Sequence, residues 1–132
     1  MVFLGLDFGI RHVGLALATG PLAEPLANLK ISPKIFTEIH QICLKQEVEK
    51  IVIGISEGKM AQETYRFARK LEQITNLPVI FQDETLTTEQ ATRKLIEAGS
   101  KKAKRKGPKH AFAASLILQE FLDSISEKSI EE

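Results

Sequence analysis

Three polar positions stand where strongly apolar runs begin or end. Asp7 closes the run VFLGL, Asp83 and Glu84 follow PVIFQ, and His110 opens a segment with Ala113, Ala114 and Ile117 at helical spacing behind it. A carboxylate beside a core strand is costly to bury unless something pairs with it. Two carboxylates and an imidazole around one notch are oxygen and nitrogen ligands for a divalent cation. A pair of such ions about 3.5–4 Å apart can activate water and stabilise the leaving oxygen of a phosphodiester. Asp7, Glu84 and His110 are therefore the candidate metal-binding and catalytic set. Each also has a plainer reading. Asp7 could bond the amides of Phe8 or Gly9 in an Asx-turn, Glu84 could be an acid in a first helical turn, and His110 a capping or packed histidine.

These residues converge only if the elements around them place them together. Residues 2–6 and 13–18 read as two strands of a hairpin around DFGIRH, with Gly9 available for the turn. A third strand follows near Leu26–Ile31, after Pro21 and Pro25. From Lys34 the period changes: Ile35, Phe36, Ile39, Ile42 and Cys43 fall on one helical stripe. KIVIG (Lys50–Gly54) and PVIFQ read as strands buried on both faces, with a helix carrying Met60, Phe67, Leu71 and Ile74 between them. Thr87, with Gln90 three residues on, has capping-box spacing for a helix running to Ala98, and Thr88 follows it. A last, largely apolar helix is expected from Pro108 to Ile125.

The order predicts an α/β fold with a mixed five-stranded sheet flanked by helices. The first three strands are antiparallel, and the first, fourth and fifth parallel. Such sheets bring the carboxyl ends of their parallel strands to one edge, where ligands bind. Asp7, Glu84 and His110 meet at that edge if the order holds. The expected domain is residues 1–126, with a solvated tail over 127–132.

With 132 residues, one cysteine and a net charge of +1, the chain has the make-up of one globular domain without a disulfide framework. There is no apolar run of membrane-spanning length and no signal-peptide pattern, so a cytoplasmic location and no membrane partner are expected. Charge matters here through its placement. Six of the nine residues from Lys101 to Lys109 are basic: Lys101, Lys102, Lys104, Arg105, Lys106 and Lys109. A basic run is usually a solvated loop, but this one leads into His110 and is a candidate phosphate contact. It carries no aromatic residue, so recognition through it would be electrostatic. Arg11 and His12 are further candidates for phosphate contact, or simply decorate the hairpin. Cys43 lies on an apolar stripe and His40 among polar positions, and neither needs a function.

GLDFGIRHVGLALA resembles the first motif of the YqgF/RuvX family, G-x-D-x-G-x-x-R-hydrophobic-G-x-A. DETLTT is similar to its D-E-R-x-T-T motif, and HAFAASLILQEFL to its C-terminal D-x-x-A-A-x-x-I-L-Q-x-[YF]-L helix. The three occur in order across nearly the whole chain. The resemblance implies an RNase H-like fold and a metal-dependent nuclease using Mg²⁺ or Mn²⁺. Its implied substrate is structured RNA, in the 5′-end maturation of 16S ribosomal RNA, or a four-way DNA junction. On this resemblance Asp7 and Glu84 match metal carboxylates, and His110 stands where the third carboxylate belongs. Gly9, Asp83, Thr87 and Thr88 take supporting places in the motifs.

Several positions depart from the family pattern. His110 replaces an aspartate, His12 occupies the arginine position beside Arg11, and Thr85 replaces the arginine of D-E-R. GISEGKM lacks the proline and asparagine of the family's G-L-P-x-N-x-x-G loop. An imidazole ligand shifts metal preference from Mg²⁺ towards Mn²⁺. The substitutions also suit a different class, an RNA-binding or ribosome-assembly protein without turnover. The opening D-x-G hairpin occurs in actin-like ATPases too, but those need two such lobes. Either a monomer or a homodimer is compatible with the sequence.

Overall fold

The computed structural model describes residues 1–55, 58–83 and 109–131. Strands β1 (Phe3–Phe8), β2 (His12–Ala18) and β3 (Glu24–Lys30) precede helix α1 (Ile35–Lys45). Strand β4 (Lys50–Ile55), helix α2 (Lys59–Thr75), strand β5 (Val79–Asp83) and helix α3 (Lys109–Glu131) complete the described elements. The sheet order is β3-β2-β1-β4-β5. β1–β2 and β2–β3 are antiparallel, while β1–β4 and β4–β5 are parallel. The expected mixed five-stranded sheet is the one observed. The last helix begins at Lys109, as anticipated, but its backbone stays helical to Glu131, beyond the expected end at Ile125. The helix expected over residues 87–98, and with it Thr87 and Thr88, lies outside the described residues.

Side chains alternate across the sheet, so each strand of its centre feeds two cores. On one face Leu4, Leu6, Val13, Leu15, Ile51 and Ile53 pack against Ile35, Ile39 and Cys43 of α1 and Phe67 and Leu71 of α2. On the other, Phe3, Ala16, Ala18 and Val52 meet Ala114, Ile117, Leu118 and Leu122 of α3. This two-sided burial explains why β1 and β4 read as continuous apolar runs, whereas PVIFQ, expected to be buried likewise, forms the outermost strand β5 and is only half-buried to exposed. Burial also pushes the Cys43 thiol up to about 11, so that it stays a protonated, unreactive packing group. No described helix is long and apolar enough to cross a membrane.

The α3 face is built from small residues. A Cβ on Gly5 would lie 2.8 Å from the Leu118 Cβ and 3.1 Å from the Ala114 carbonyl oxygen. A Cβ on Gly14 would overlap the His110 carbonyl outright. Glycine inside a strand marks such a close approach of a neighbouring backbone. α3 therefore sits closer to β1 and β2 than ordinary side chains would allow.

Gln119 fixes the helix along its axis. It is fully buried, accepts a hydrogen bond from the Ala23 amide at 2.9 Å and donates to the Pro21 carbonyl at 2.9 Å and to Asp123 Oδ1 at 3.0 Å. The loop between β2 and β3 is thereby tied to α3. Gln119→Leu would keep the volume but leave the Ala23 amide and Pro21 carbonyl without this partner. Each unsatisfied buried group costs about 1–3 kcal/mol, so a loss of about 2–6 kcal/mol is expected. Urea denaturation should show it as a lower midpoint at unchanged slope.

Candidate metal and nucleic-acid site

The carboxyl ends of β1, β4 and β5 share one edge of the sheet, as parallel pairing requires. Asp7 lies in β1 one residue before its end, paired in register with Gly14 of β2. Its neighbours Leu6 and Phe8 face the α1–α2 core, so strand alternation turns Asp7 towards α3. α3 starts at the same edge, and the contact between its first turn and Gly14 sets His110 beside Asp7. The His110 Nδ1 lies 3.6 Å from Asp7 Oδ2, with the carboxylate side chain 16% exposed and the imidazole 45% exposed. Both groups thus reach solvent from a partly buried base.

The Gly9 amide donates to the His12 carbonyl at 2.9 Å, closing the hairpin turn backbone to backbone. An Asx-turn onto Gly9 is therefore not what holds the carboxylate. Nor is the contact with His110 a hydrogen bond, since 3.6 Å exceeds hydrogen-bonding range. The pair is two donor groups side by side, both within reach of a third body.

His12 stacks on His110, with ring centroids 5.8 Å apart and planes inclined by 19°. A Cβ on Gly9 would lie 3.7 Å from the His110 Cε1, so the turn forms another wall of the imidazole's seat. Arg11 is exposed in the turn, and its carbonyl accepts the Ile31 amide at 2.8 Å. Asp83 ends β5 opposite Ile55 with an exposed side chain, and alternation puts it on the sheet face away from Asp7. Glu84 and the basic residues Lys101, Lys102, Lys104, Arg105 and Lys106 lie outside the described residues, as does the Lys109 side chain. Thr85 lies outside them too.

Asp7 and His110 fit as two ligands of one divalent cation. Metal bonds to carboxylate oxygen and imidazole nitrogen run about 2.0–2.2 Å, so two ligands of one ion stand at most about 4.4 Å apart. The 3.6 Å between Asp7 and His110 falls within that limit. Among the described residues, no cluster of three His, Cys, Asp or Glu side chains could hold a metal.

Gly14 is the site residue that sequence reasoning passed over. Its signal was present, a lone glycine inside an otherwise apolar strand, which marks a bulge or a close backbone approach. Gln119 was missed for a different reason: a glutamine within an apolar helix shows its partners only once the loop at Pro21–Ala23 is placed.

Among proteins of known description, the family "RuvX: Holliday junction resolvase" matches residues 1–124. A protein of Syntrophus aciditrophicus named "Putative pre-16S rRNA nuclease" is 40% identical over 140 aligned positions, covering 98% of this chain and 93% of the relative. In fold, the chain is similar to RuvC of Thermus thermophilus, solved in complex with Holliday junction substrate. The TM-score is 0.63 at 17% identity, over 96% of both chains. The fowlpox virus Holliday junction resolvase aligns with a TM-score of 0.60 at 12% identity, over 95% of this chain and 99% of the other.

The seat of His110 is testable without assuming any chemistry. Gly14→Ala drives a methyl group into the His110 carbonyl, so the start of α3 must move away from β2. Overpacking of this kind costs about 1–3 kcal/mol, which a urea melt should read as reduced stability. The His110 and His12 ring resonances in NMR spectra should shift with it, while those of His40 stay in place.

Proposed function

The chain belongs to the RuvX family, described as Holliday junction resolvases, and on that footing we propose that it is a divalent-metal-dependent nuclease acting on structured RNA. Precursor 16S ribosomal RNA is the substrate this reading names, on the strength of a relative aligned over nearly its whole length. The observation that carries the reading is the juxtaposition of Asp7 with His110 at the carboxyl edge of the sheet. Asp7, His110 and Glu84 would hold the metal. When bound, Mg²⁺ or Mn²⁺ supplies a Lewis acid for the scissile phosphate and lowers the pKa of water.

The chain's own residues bind and orient. Asp7, anchored in a strand packed on both faces, offers one carboxylate in a fixed position. His110 offers an imidazole nitrogen, and only its neutral form has the lone pair that ligation needs. His12 and the Gly9 turn wall in that ring and limit its rotation. Arg11, exposed at the hairpin turn, would meet a phosphate, and the basic run that leads into His110 would add further cationic contacts. Neither contact reads base identity, so affinity should fall steeply with salt. With imidazole in place of a carboxylate, the site should favour Mn²⁺ over Mg²⁺.

The family description and the fold also support a second substrate, a four-way DNA junction. Parallel assays on a structured RNA with a 5′ extension and on a DNA junction separate the two. Cleavage of the RNA in Mn²⁺ is expected, falling by at least ~100-fold in Asp7→Asn and by at least ~10-fold in His110→Ala, as loss of a metal-site group implies. Binding without cleavage in either metal would instead mark an RNA-binding protein that has kept the fold. Equal rates in both metals with an indifferent His110→Ala would remove His110 from the site.

A further inference from the structure

The outer face of α2 carries a feature that the metal site does not use. Gln62, Tyr65, Arg66, Arg69, Lys70 and Gln73 line one open groove along this helix. They follow the helical repeat over eleven residue steps, about 16 Å of length. Among the described residues the groove has three cationic side chains in its lining and no carboxylate. The whole chain has a net charge of only +1, so this is a local concentration.

Aromatic surface lies beside the charge. Tyr65 is 47% exposed and Phe81 of β5 39% exposed, and their rings meet edge to face at 4.8 Å and 63°. Tyr65 and Arg69 also line the adjoining cleft that reaches Phe81. The carboxylate at that rim, Glu72, already accepts the Val79 amide at 3.2 Å. Arg66 pairs with Glu63 at 3.3 Å, but both side chains are more than half exposed, and such a pair is easily exchanged for another anion. Lys70 lies 4.7 Å over the Phe36 ring, which holds its ammonium near the groove. Among the described residues Arg69 has no ion pair.

A row of cations beside exposed rings is what an unpaired nucleic-acid strand requires: charge for its backbone and flat apolar faces for its bases. An acidic peptide would use the charge but has no need of the rings. We infer that the α2 groove, with Tyr65 and Phe81, is a docking track for the single-stranded segment of an RNA substrate. This rests on the reading of the protein as an RNA nuclease and extends it to where the strand runs outside the metal site. α2 follows β4 and β5 ends at the same carboxyl edge, so the track begins at the edge that carries Asp7, on the opposite face of the sheet from that carboxylate. It also supplies the stacking surface that the run of residues 101–109 lacks.

Fluorescence anisotropy on two labelled RNA hairpins tests this, one blunt and one with a 5′ single-stranded extension, without divalent metal so that binding alone is read. The wild type should bind the extended hairpin more tightly. Tyr65→Ala with Arg69→Gln should weaken that binding about tenfold or more, leave the blunt hairpin unaffected, and cut the log–log salt slope by about 0.7. Both side chains are exposed, so the fold is kept, and Tyr65→Phe should bind like the wild type. An unchanged double variant, a wild type indifferent to the extension, or equal competition by a poly-glutamate peptide would overturn the inference. Cleavage of the extended hairpin in Mn²⁺ by the wild type and by Asp7→Asn, measured separately, tests the nuclease reading, so either idea can fail without the other.

Discussion

The close seat of α3 on the sheet is the constraint on which the rest of the structure depends. Gly5 and Gly14, with Ala16 and Ala18, leave a shallow face on β1 and β2 into which the helix settles. Larger side chains there would lift α3 and carry His110 away from Asp7. The same contact buries Ala114, Ile117, Leu118 and Leu122, so the apolar packing that stabilises the domain also places the imidazole. Stability and site geometry are thus one interaction seen from two ends, with Gln119 holding the helix against sliding.

The carboxylate is held as firmly from the opposite side of the sheet. Phe8, next to Asp7, packs on Phe67 of α2 with ring centroids 4.6 Å apart, and Phe67 on Phe36 of α1 at 4.9 Å. Aromatic contacts of this kind add about 0.5–1.5 kcal/mol each beyond area burial. They anchor the end of β1, where pairing with β4 has already stopped at Leu6. Asp7 therefore projects from a strand end fixed on one face by three phenylalanines and on the other by a helix. A metal ligand needs this preorganisation, because a carboxylate free to rotate would lose affinity to its own disorder.

Much of this was legible in the sequence, for physical reasons that differ by element. Two-sided burial makes β1 and β4 continuous apolar runs, and the switch of period at Lys34 announces α1. The order of those elements then dictates the mixed sheet, and the sheet dictates that Asp7 and the start of α3 share an edge. Less visible were features that exist only between distant segments. Gly14 faces His110 across almost a hundred residues, and Tyr65 meets Phe81 from a different element. The end of α3 lies beyond the expected Ile125 because SEKSIEE has no apolar stripe to announce a helix, whereas helical backbone can form on propensity alone. Glu84, legible as a motif residue, lies outside the described residues.

The central claim is that Asp7 and His110 are two ligands of one divalent cation. Anomalous diffraction from crystals of the protein soaked in Mn²⁺ tests it most directly. The account predicts a single strong peak, or a close pair, bonded to an Asp7 carboxylate oxygen and to an imidazole nitrogen of His110. Manganese bound elsewhere, or an Asp7–His110 pair that closes into a direct hydrogen bond and excludes the ion, would contradict it.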